Sequence, residues 1–191
     1  SDGKVMDVNW KRYYTWWGKV INEHPVIYVS WEDAQAFCVW LTKKERDAGT
    51  IAASQKYRLA TDHEWSCAVG IGGKENALVS PRDKSRKVAD FPWGVTWPPP
   101  KGSGNYDKKL LTDDFDHTSP VGSFRANALG IYDMGGNVWE WCEDKFDGSD
   151  DWRVLRGGSW SDSSREYLSS SYRRGSDPVA RYDNGFRCVL E

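Results

Sequence analysis

Two acidic residues lie among paired glycines, where their oxygens could be directed at a cation. Asp133 precedes the pair Gly135 and Gly136, and Glu140 follows it in a run of Val and Trp residues. Glycine pairs beside β-forming residues indicate tight turns that lead into short strands. Carboxylates together with turn carbonyls suit a hard cation such as calcium. The spacing alone favours the plainer interpretation, two glycine turns with exposed acids.

The residue types that catalyse reactions form no recognisable constellation in this chain. Four cysteines, at 38, 67, 142 and 188, lack C-x-x-C spacing, which argues against zinc and is compatible with reduced, buried thiols. Three histidines, His24, His63 and His117, are scattered, and each is more typical of a surface or turn position than of a ligand. We find no Ser-His-Asp order, no phosphate loop and no convincing pair of carboxylates.

The composition predicts one aromatic-rich domain covering residues 1–191. The chain is long enough for one core, and no shift in composition divides it. Twelve Trp, nine Tyr and 18 Gly favour a fold in which large rings pack between turns. A net charge of −2 argues against nucleic acid or a membrane surface as a general partner, and no apolar run approaches the roughly 20 residues of a bilayer span. The opening residues lack an apolar signal core, so we expect any targeting segment to be removed or absent.

Local patterns predict two helices among many short strands, which is an α+β domain. Ser30 with Asp33 resembles a capping box, and helical spacing continues from there until Gly49. Thr61 with Glu64 is a second capping box that opens a shorter helix. Residues 26–29 are predicted to form a strand, residues 1–24 a loop or irregular helix, and residues 70–109 a long loop region.

Several motifs resemble the sulfatase-modifying-factor family, to which the formylglycine-generating enzyme belongs. They are Gly-Asn-Val-Trp-Glu-Trp at 136–141, Arg-Val-Leu-Arg-Gly-Gly-Ser-Trp at 153–160 and Gly-Phe-Arg at 185–187, with upstream matches at 25–34, 57–65 and 91–94. The resemblance implies a variant of the C-type lectin fold with short, twisted antiparallel strands and long loops. It also implies a disulfide between Cys38 and Cys188, since some secreted members link these positions; reduced thiols remain the alternative. Members usually have further strands before position 25, so we expect a fragment or a divergent N-terminal part.

The resemblance also implies two structural calcium sites made of oxygen ligands. The first would use Asn105, Tyr106, Asp113 and Phe115. The second would use Asp133, Gly136, Val138 and Glu140, and Asp133 stands where the family often has Asn. The alternative is that turn hydrogen bonds hold both loops without metal.

The resemblance argues against the enzymatic activity of the family. The formylglycine-generating enzyme needs two copper-binding cysteines shortly after the Gly-Gly-Ser motif, and residues 161–167 contain none. Asp or Tyr cannot replace a thiolate as a soft copper ligand. The related sulfoxide synthases use three histidines from an added helical domain, which this chain does not match. We therefore expect no catalytic residues.

The segment that replaces those cysteines resembles the variable region of diversity-generating retroelement proteins. A fixed motif precedes scattered Ser, Asp, Tyr and Arg, which adenine mutagenesis of Asn codons produces, although Glu166 is not reachable in this way. Tyr and Arg give contact area, as in antibody loops, but a solvated loop has a similar composition. We expect residues 153–188 to bind a protein or glycan at the cell surface or in secreted form. The predicted contact residues are Trp160, Ser161, Asp162, Ser163, Arg165, Tyr167, Tyr172, Arg174, Ser176, Asp177, Tyr182 and Asp183.

Two alternatives stay open from the sequence. One is an altered enzyme that uses a metal or a thiol, for which Cys142 and Cys188 are the nearby candidates. The other is a constant accessory domain of a larger assembly.

Overall fold

The computed structural model describes residues 23–191, a mixed α+β arrangement of short helices and small sheets. The prediction for residues 1–24 therefore lies outside the described residues, apart from its last two positions. Within the described part, helix α1 is Trp31–Asp47, α2 is Asp62–Val69 and α3 is the single turn Pro81–Lys84. Between residues 70 and 110 the helical structure consists of α3 and two 3₁₀ turns, Gly72–Lys74 and Lys108–Leu110. The prediction of a long loop region there is confirmed.

Both predicted capping boxes begin a helix. At α1 the Ser30 hydroxyl accepts from the Asp33 amide at 3.0 Å, and the Asp33 carboxylate accepts from the Ser30 amide at 2.9 Å. At α2 the Thr61 hydroxyl and the Glu64 carboxylate exchange the same two bonds. The helix after Ser30 ends just before Gly49, as the sequence predicts, because the chain takes a left-handed turn there.

The strands form two sheets. Strand β1, Tyr57–Leu59, pairs antiparallel with β6, Cys188–Leu190. The second sheet has the order β4-β3-β2-β5, in which β2 is Trp139–Lys145, β3 is Arg153–Arg156, β4 is Arg174–Ser176 and β5 is Asn184–Phe186. The β4-β3 and β3-β2 pairs are antiparallel. The β2-β5 pair is parallel, which differs from the expected antiparallel pairing.

The strand predicted for residues 26–29 does not form. Tyr28 has φ 56°, a left-handed conformation that interrupts an extended strand. The segment is held by separate contacts: the Tyr28 amide donates to the Arg181 carbonyl, and the Val29 carbonyl accepts from the Trp141 indole. It therefore runs beside β5 and β2 without joining a ladder.

Strand β2 packs between two apolar clusters. Trp139 and Trp141 lie on one face with Ala34, Cys38 and Leu155, so α1 covers this side. The opposite face carries Glu140 and Cys142, and Cys142 packs with Trp65 of α2. The family motif at 136–141 thus forms the centre of the folded domain.

Candidate ligand-binding face

The segment after β3 separates into buried anchors and exposed side chains. Leu168, Ser171 and Arg173 are almost completely buried, whereas Tyr167 and Tyr182 are 42% and 44% exposed. Gly158 allows this packing, because a Cβ there would lie 2.6 Å from a Leu168 methyl carbon. The exposed side chains therefore project from a backbone that is fixed from below.

A buried ion cluster fixes that backbone. The Asp62 carboxylate, at the start of α2, accepts hydrogen bonds from Arg156 in β3 and from Arg173, whose Nε lies 2.9 Å away. Lys84 forms a third pair with Asp62 at 2.8 Å. Arg173 also makes a bidentate bond to Glu75. The cluster connects α2, α3 and β3 to the segment that leads into β4.

The cations of the cluster favour the ionised form of the Asp62 carboxyl. Burial acts to raise the pKa of Asp62, but the Arg156 and Arg173 guanidinium groups hold it well below its usual range. Arg156 also lies over the Trp65 ring at 4.2 Å and donates to the Ser170 carbonyl. Removal of one partner would leave an uncompensated buried charge, so the cluster disfavours arrangements that separate these groups.

Aromatic rings form two groups around the segment. Trp160 contacts His117 at 4.7 Å and Tyr182 at 5.8 Å between ring centroids. Tyr167 contacts Tyr172 at 5.0 Å. The Trp160 amide donates to the Asn137 carbonyl, so this group is attached to the loop before β2.

Two carboxylates of the same segment, Asp162 and Asp183, are close enough to Arg174 to interact with it. Asp162 accepts from the Ser159 amide at 2.9 Å, and Asp183 lies 3.8 Å from Arg174. Burial raises the pKa of both carboxyls; the hydrogen bonds from Ser159 to Asp162, and the Arg174 charge near both, lower these pKa values only in part. The Asp183 Oδ1 atom is buried without a hydrogen-bond partner.

The predicted contact residues differ in how far they reach solvent. Arg165, Tyr167 and Tyr182 are exposed, and Tyr172, Ser176 and Asp183 are buried. The remaining six are half-buried: Trp160, Ser161, Asp162, Ser163, Arg174 and Asp177. The buried three support the surface from below, so we define the candidate face by the other nine. The sequence did not predict that Asp62, Glu75 and Lys84 form the ion cluster beneath this face. The one sequence feature that pointed to Asp62 was its position directly after the Thr61 helix cap.

The first predicted calcium set has an oxygen that lacks a partner. Asn105 is 1% exposed and its Oδ1 accepts no hydrogen bond, while its Nδ2 donates to the His117 carbonyl at 2.7 Å. The Asp113 carboxylate accepts from the Tyr106 and Phe115 amides at 3.1 and 2.9 Å. The residues of this set are therefore brought together, and their chemistry fits calcium.

The second predicted calcium set is already occupied by a cation from the protein. Asp133, Gly136, Val138 and Glu140 all line one cavity of about 650 Å³. Glu140 accepts from the Arg187 Nε at 2.7 Å and from the Trp65 indole at 2.8 Å. Arg187 also donates to the Asp133 carbonyl. Because the guanidinium neutralises Glu140, this set fits calcium less well than the first.

The thiols and imidazoles give no catalytic arrangement within residues 23–191. Cys142 is fully buried, and burial raises the pKa of its thiol well above the usual value. Cys188 lies beside Cys38, with 3.4 Å between the two sulfur atoms. In this part of the chain no three His, Cys, Asp or Glu residues are grouped to hold a metal. No helix among the same residues is long and apolar enough to cross a membrane.

Comparison with known proteins places these features in a family. A family model described as the sulfatase-modifying factor enzyme 1-like domain matches residues 2–191. The inactive C-alpha-formylglycine-generating enzyme 2 of Bos taurus is 35% identical over 87% of this chain, and the formylglycine-generating enzyme of Streptomyces coelicolor is 30% identical over 87%. The chain spans about half the length of these relatives, 50% and 52%. The structure of Treponema denticola variable protein 1 has a TM-score of 0.63 and 25% identity, and the match covers 91% of this chain and 73% of that one.

Proposed function

The chain belongs to the sulfatase-modifying factor enzyme 1-like domain family, and from this premise we propose that it is a non-catalytic ligand-binding protein. Its candidate face would recognise a protein or glycan at the cell surface or in secreted form. We further propose that this face is diversified, as in the variable proteins of diversity-generating retroelements. The likeness to Treponema denticola variable protein 1 supports that part of the proposal.

One observation carries the proposal: the exposed and buried residues of the segment after β3 differ in chemistry. The exposed positions carry Arg165, Tyr167 and Tyr182, while the backbone beneath is fixed by Leu168 and Arg173. A rigid backbone reduces the ordering cost of binding. Exposed side chains can then be exchanged without unfolding the domain, which is the property that a diversified surface requires.

The family includes active enzymes, but this site does not support their chemistry. The segment 161–167 has no cysteine, and Cys142 is a buried thiol with a raised pKa. A thiolate is the form that binds metal and attacks a substrate. One relative, from Bos taurus, is named as inactive, which supports the proposal that a member of this family can have a non-catalytic role.

Sequencing tests diversification directly. The coding region would be read in many independent isolates, together with any nearby copy of its 3′ end. We expect substitutions to fall on the exposed positions between Trp160 and Asn184, at adenines of the copy, and to spare Leu168 and Arg173. A constant segment without a copy would contradict diversification and favour the accessory-domain alternative.

Alanine substitution tests the binding face. We expect Tyr167→Ala or Tyr182→Ala to weaken binding about tenfold or more, because exposed aromatic residues often dominate interfaces. The melting temperature should stay within about 2 °C of the wild-type value, since neither ring is buried. Binding would be measured against the glycan or protein that the wild-type chain retains on an array.

Leu168→Ala is the matched control for those variants. Leu168 is 1% exposed, so its truncation should cost about 2–5 kcal/mol of stability. A fall of many degrees in Tyr167→Ala or Tyr182→Ala, similar to the control, would show that these rings are core and not contact residues.

We also propose that calcium binds the first set, with Asn105 and Asp113 supplying side-chain oxygens. Bound calcium would hold the loop that leads to His117 and hence the Trp160 ring. We expect calcium at one hundred times its dissociation constant to stabilise the domain by about 2.7 kcal/mol. Asp113→Ala should abolish this shift in thermal melts with and without chelator, whereas Asp114→Ala, an exposed neighbour, should retain it. A shift lost equally in both variants would contradict this site.

A further inference from the structure

A second cavity lies outside the candidate face. It has a volume of about 460 Å³, in the range of small-molecule sites. Four loops form it, at 92–93, 100–104, 124–128 and 131–135. None of its lining residues belongs to the nine residues of the candidate face, so its ligand would be separate from the one proposed above.

The rim of this cavity is positively charged. Lys101 and Arg125 are exposed, and neither forms an ion pair with another described residue. Asp133 is the only acidic residue among the described lining residues, and its Oδ2 accepts the Gly122 amide at 2.7 Å. Gly122 lines the larger cavity beside Glu140, so the Asp133 carboxylate is directed to that side. Two uncompensated cations therefore border the smaller cavity.

Two buried hydroxyls without partners lie close to its lining residues. Ser103 lines the cavity, but its Oγ is buried, and so is the Tyr106 hydroxyl; neither makes a hydrogen bond. A Cβ at Gly104 or Gly135 would lie 2.7 or 2.9 Å from the Tyr106 hydroxyl oxygen. Since both glycines line the cavity, the Tyr106 hydroxyl lies close to its lining. A buried hydroxyl without a partner costs free energy that an acceptor group would recover.

The side walls are apolar and rigid. Trp93 stacks on Phe91 at 4.8 Å with 6° between the rings, and its indole donates to the Thr96 carbonyl at 2.9 Å. Phe124 packs against Phe115 at 6.2 Å. Such walls suit a flat apolar body held between two rings.

From these features we propose that the cavity binds a small organic anion, namely a carboxylate attached to a flat apolar body. The carboxylate lies between Lys101 and Arg125, and it accepts a hydrogen bond from Ser103 Oγ once that side chain rotates toward the cavity. The body lies between Trp93 and Phe124. Arginine can hold a carboxylate with two parallel hydrogen bonds, which gives the rim its selectivity for charge.

Phenylacetate is a suitable probe, with phenylacetamide as the uncharged molecule of the same shape. Binding would be followed in amide and indole NMR spectra of the full chain. We expect saturable shifts at Gly102, Gly104 and the Trp93 indole, with a dissociation constant of about 1 mM or tighter. Phenylacetamide should bind at least about tenfold more weakly, because it lacks the charge.

Charge reversal separates this site from general attraction of anions. Arg125→Glu should weaken phenylacetate binding by at least about tenfold, and Lys87→Glu, an exposed lysine outside the cavity, should change it less than about twofold. No saturable binding, equal binding of phenylacetamide, or equal effects of the two variants would each overturn the proposal. None of these results bears on the candidate face, which shares no residue with the cavity.

Discussion

Asp62 and Asp183 are both buried carboxylates, but the charges around them differ. Asp62 is 1% exposed and contacts Arg156, Arg173 and Lys84, so it stays ionised. Asp183 is 5% exposed, and burial raises its pKa; Arg174, at 3.8 Å, and Arg181 lower that pKa only in part, and Asp162 raises it further. The first carboxylate contributes to stability, whereas the second is retained at a cost.

Asp183→Asn should therefore stabilise the domain at neutral pH. Burial raises the folded-state pKa of Asp183 above its unfolded value, so stability falls as the pH rises from the unfolded pKa to the folded pKa and stays lower above it. The asparagine keeps the shape and removes the charge. We expect a higher melting temperature than wild type at pH 7, and a difference that disappears below the pKa of an unfolded aspartate, near about pH 4.

Melts of both proteins across that pH range provide the measurement. A lower melting temperature for Asp183→Asn at pH 7 would mean that the Arg174 pair outweighs desolvation. That result would contradict the prediction that the buried Asp183 charge destabilises the fold.

The ends of helices and strands show which features local sequence can predict. The Ser30 and Thr61 caps act over three residues, so their helices could be predicted from the chain directly. The left-handed conformation of Tyr28 could not, because it accompanies long-range contacts: the Tyr28 amide donates to Arg181, and the Val29 carbonyl accepts from Trp141. The parallel β2-β5 pair and the ion cluster also depend on distant partners: Asp62 and Arg156 are 94 positions apart.

The candidate site divides in the same way. Its residue types and its location after the Gly-Gly-Ser-Trp motif could be predicted, since composition is local. Burial of Tyr172, Ser176 and Asp183 could not, because it depends on packing against β2 and β3. The sequence also could not predict that the Asn105 Oδ1 atom is buried without a hydrogen-bond partner, because this depends on the folded structure.

Gly136, in the turn that enters β2, gives a prediction about this element. It has φ 76°, and a Cβ would lie 2.2 Å from the Asn105 carbonyl oxygen. We expect Gly136→Ala to cost about 3 kcal/mol or more, because backbone strain and a clash with backbone combine. Chemical denaturation of the variant would measure the loss.

Gly148→Ala is the control for that substitution. Gly148 also has positive φ, 89°, but a Cβ added there would have no atom within 4 Å. It should cost only about 1 kcal/mol, from backbone strain alone. Equal losses in the two variants would show that the close approach to Asn105 does not contribute.

Across the whole molecule, the pair Cys38 and Cys188 connects α1 to the last strand over 150 positions. The 3.4 Å between the sulfur atoms requires only a small approach to form a bond. We expect oxidation to raise stability by about 2–5 kcal/mol, since the closed loop is long. Non-reducing gels and melts with and without reductant would measure it.

Cys67→Ser is the control, because Cys67 is an exposed cysteine in a different helix, α2. It should leave the response to reductant unchanged, whereas Cys188→Ser should abolish it. A response that persists in Cys188→Ser would place the oxidisable pair elsewhere.

The seven residues from Asn184 to Leu190 supply one strand to each sheet, β5 beside β2 and β6 beside β1. During translation neither sheet can gain all its strands until this segment has left the ribosome. Until then the edges of β1 and β2 stay unpaired, and such edges favour association between nascent chains. Completion of both sheets therefore depends on residues 184–190, and chaperone demand should be greatest just before these residues emerge.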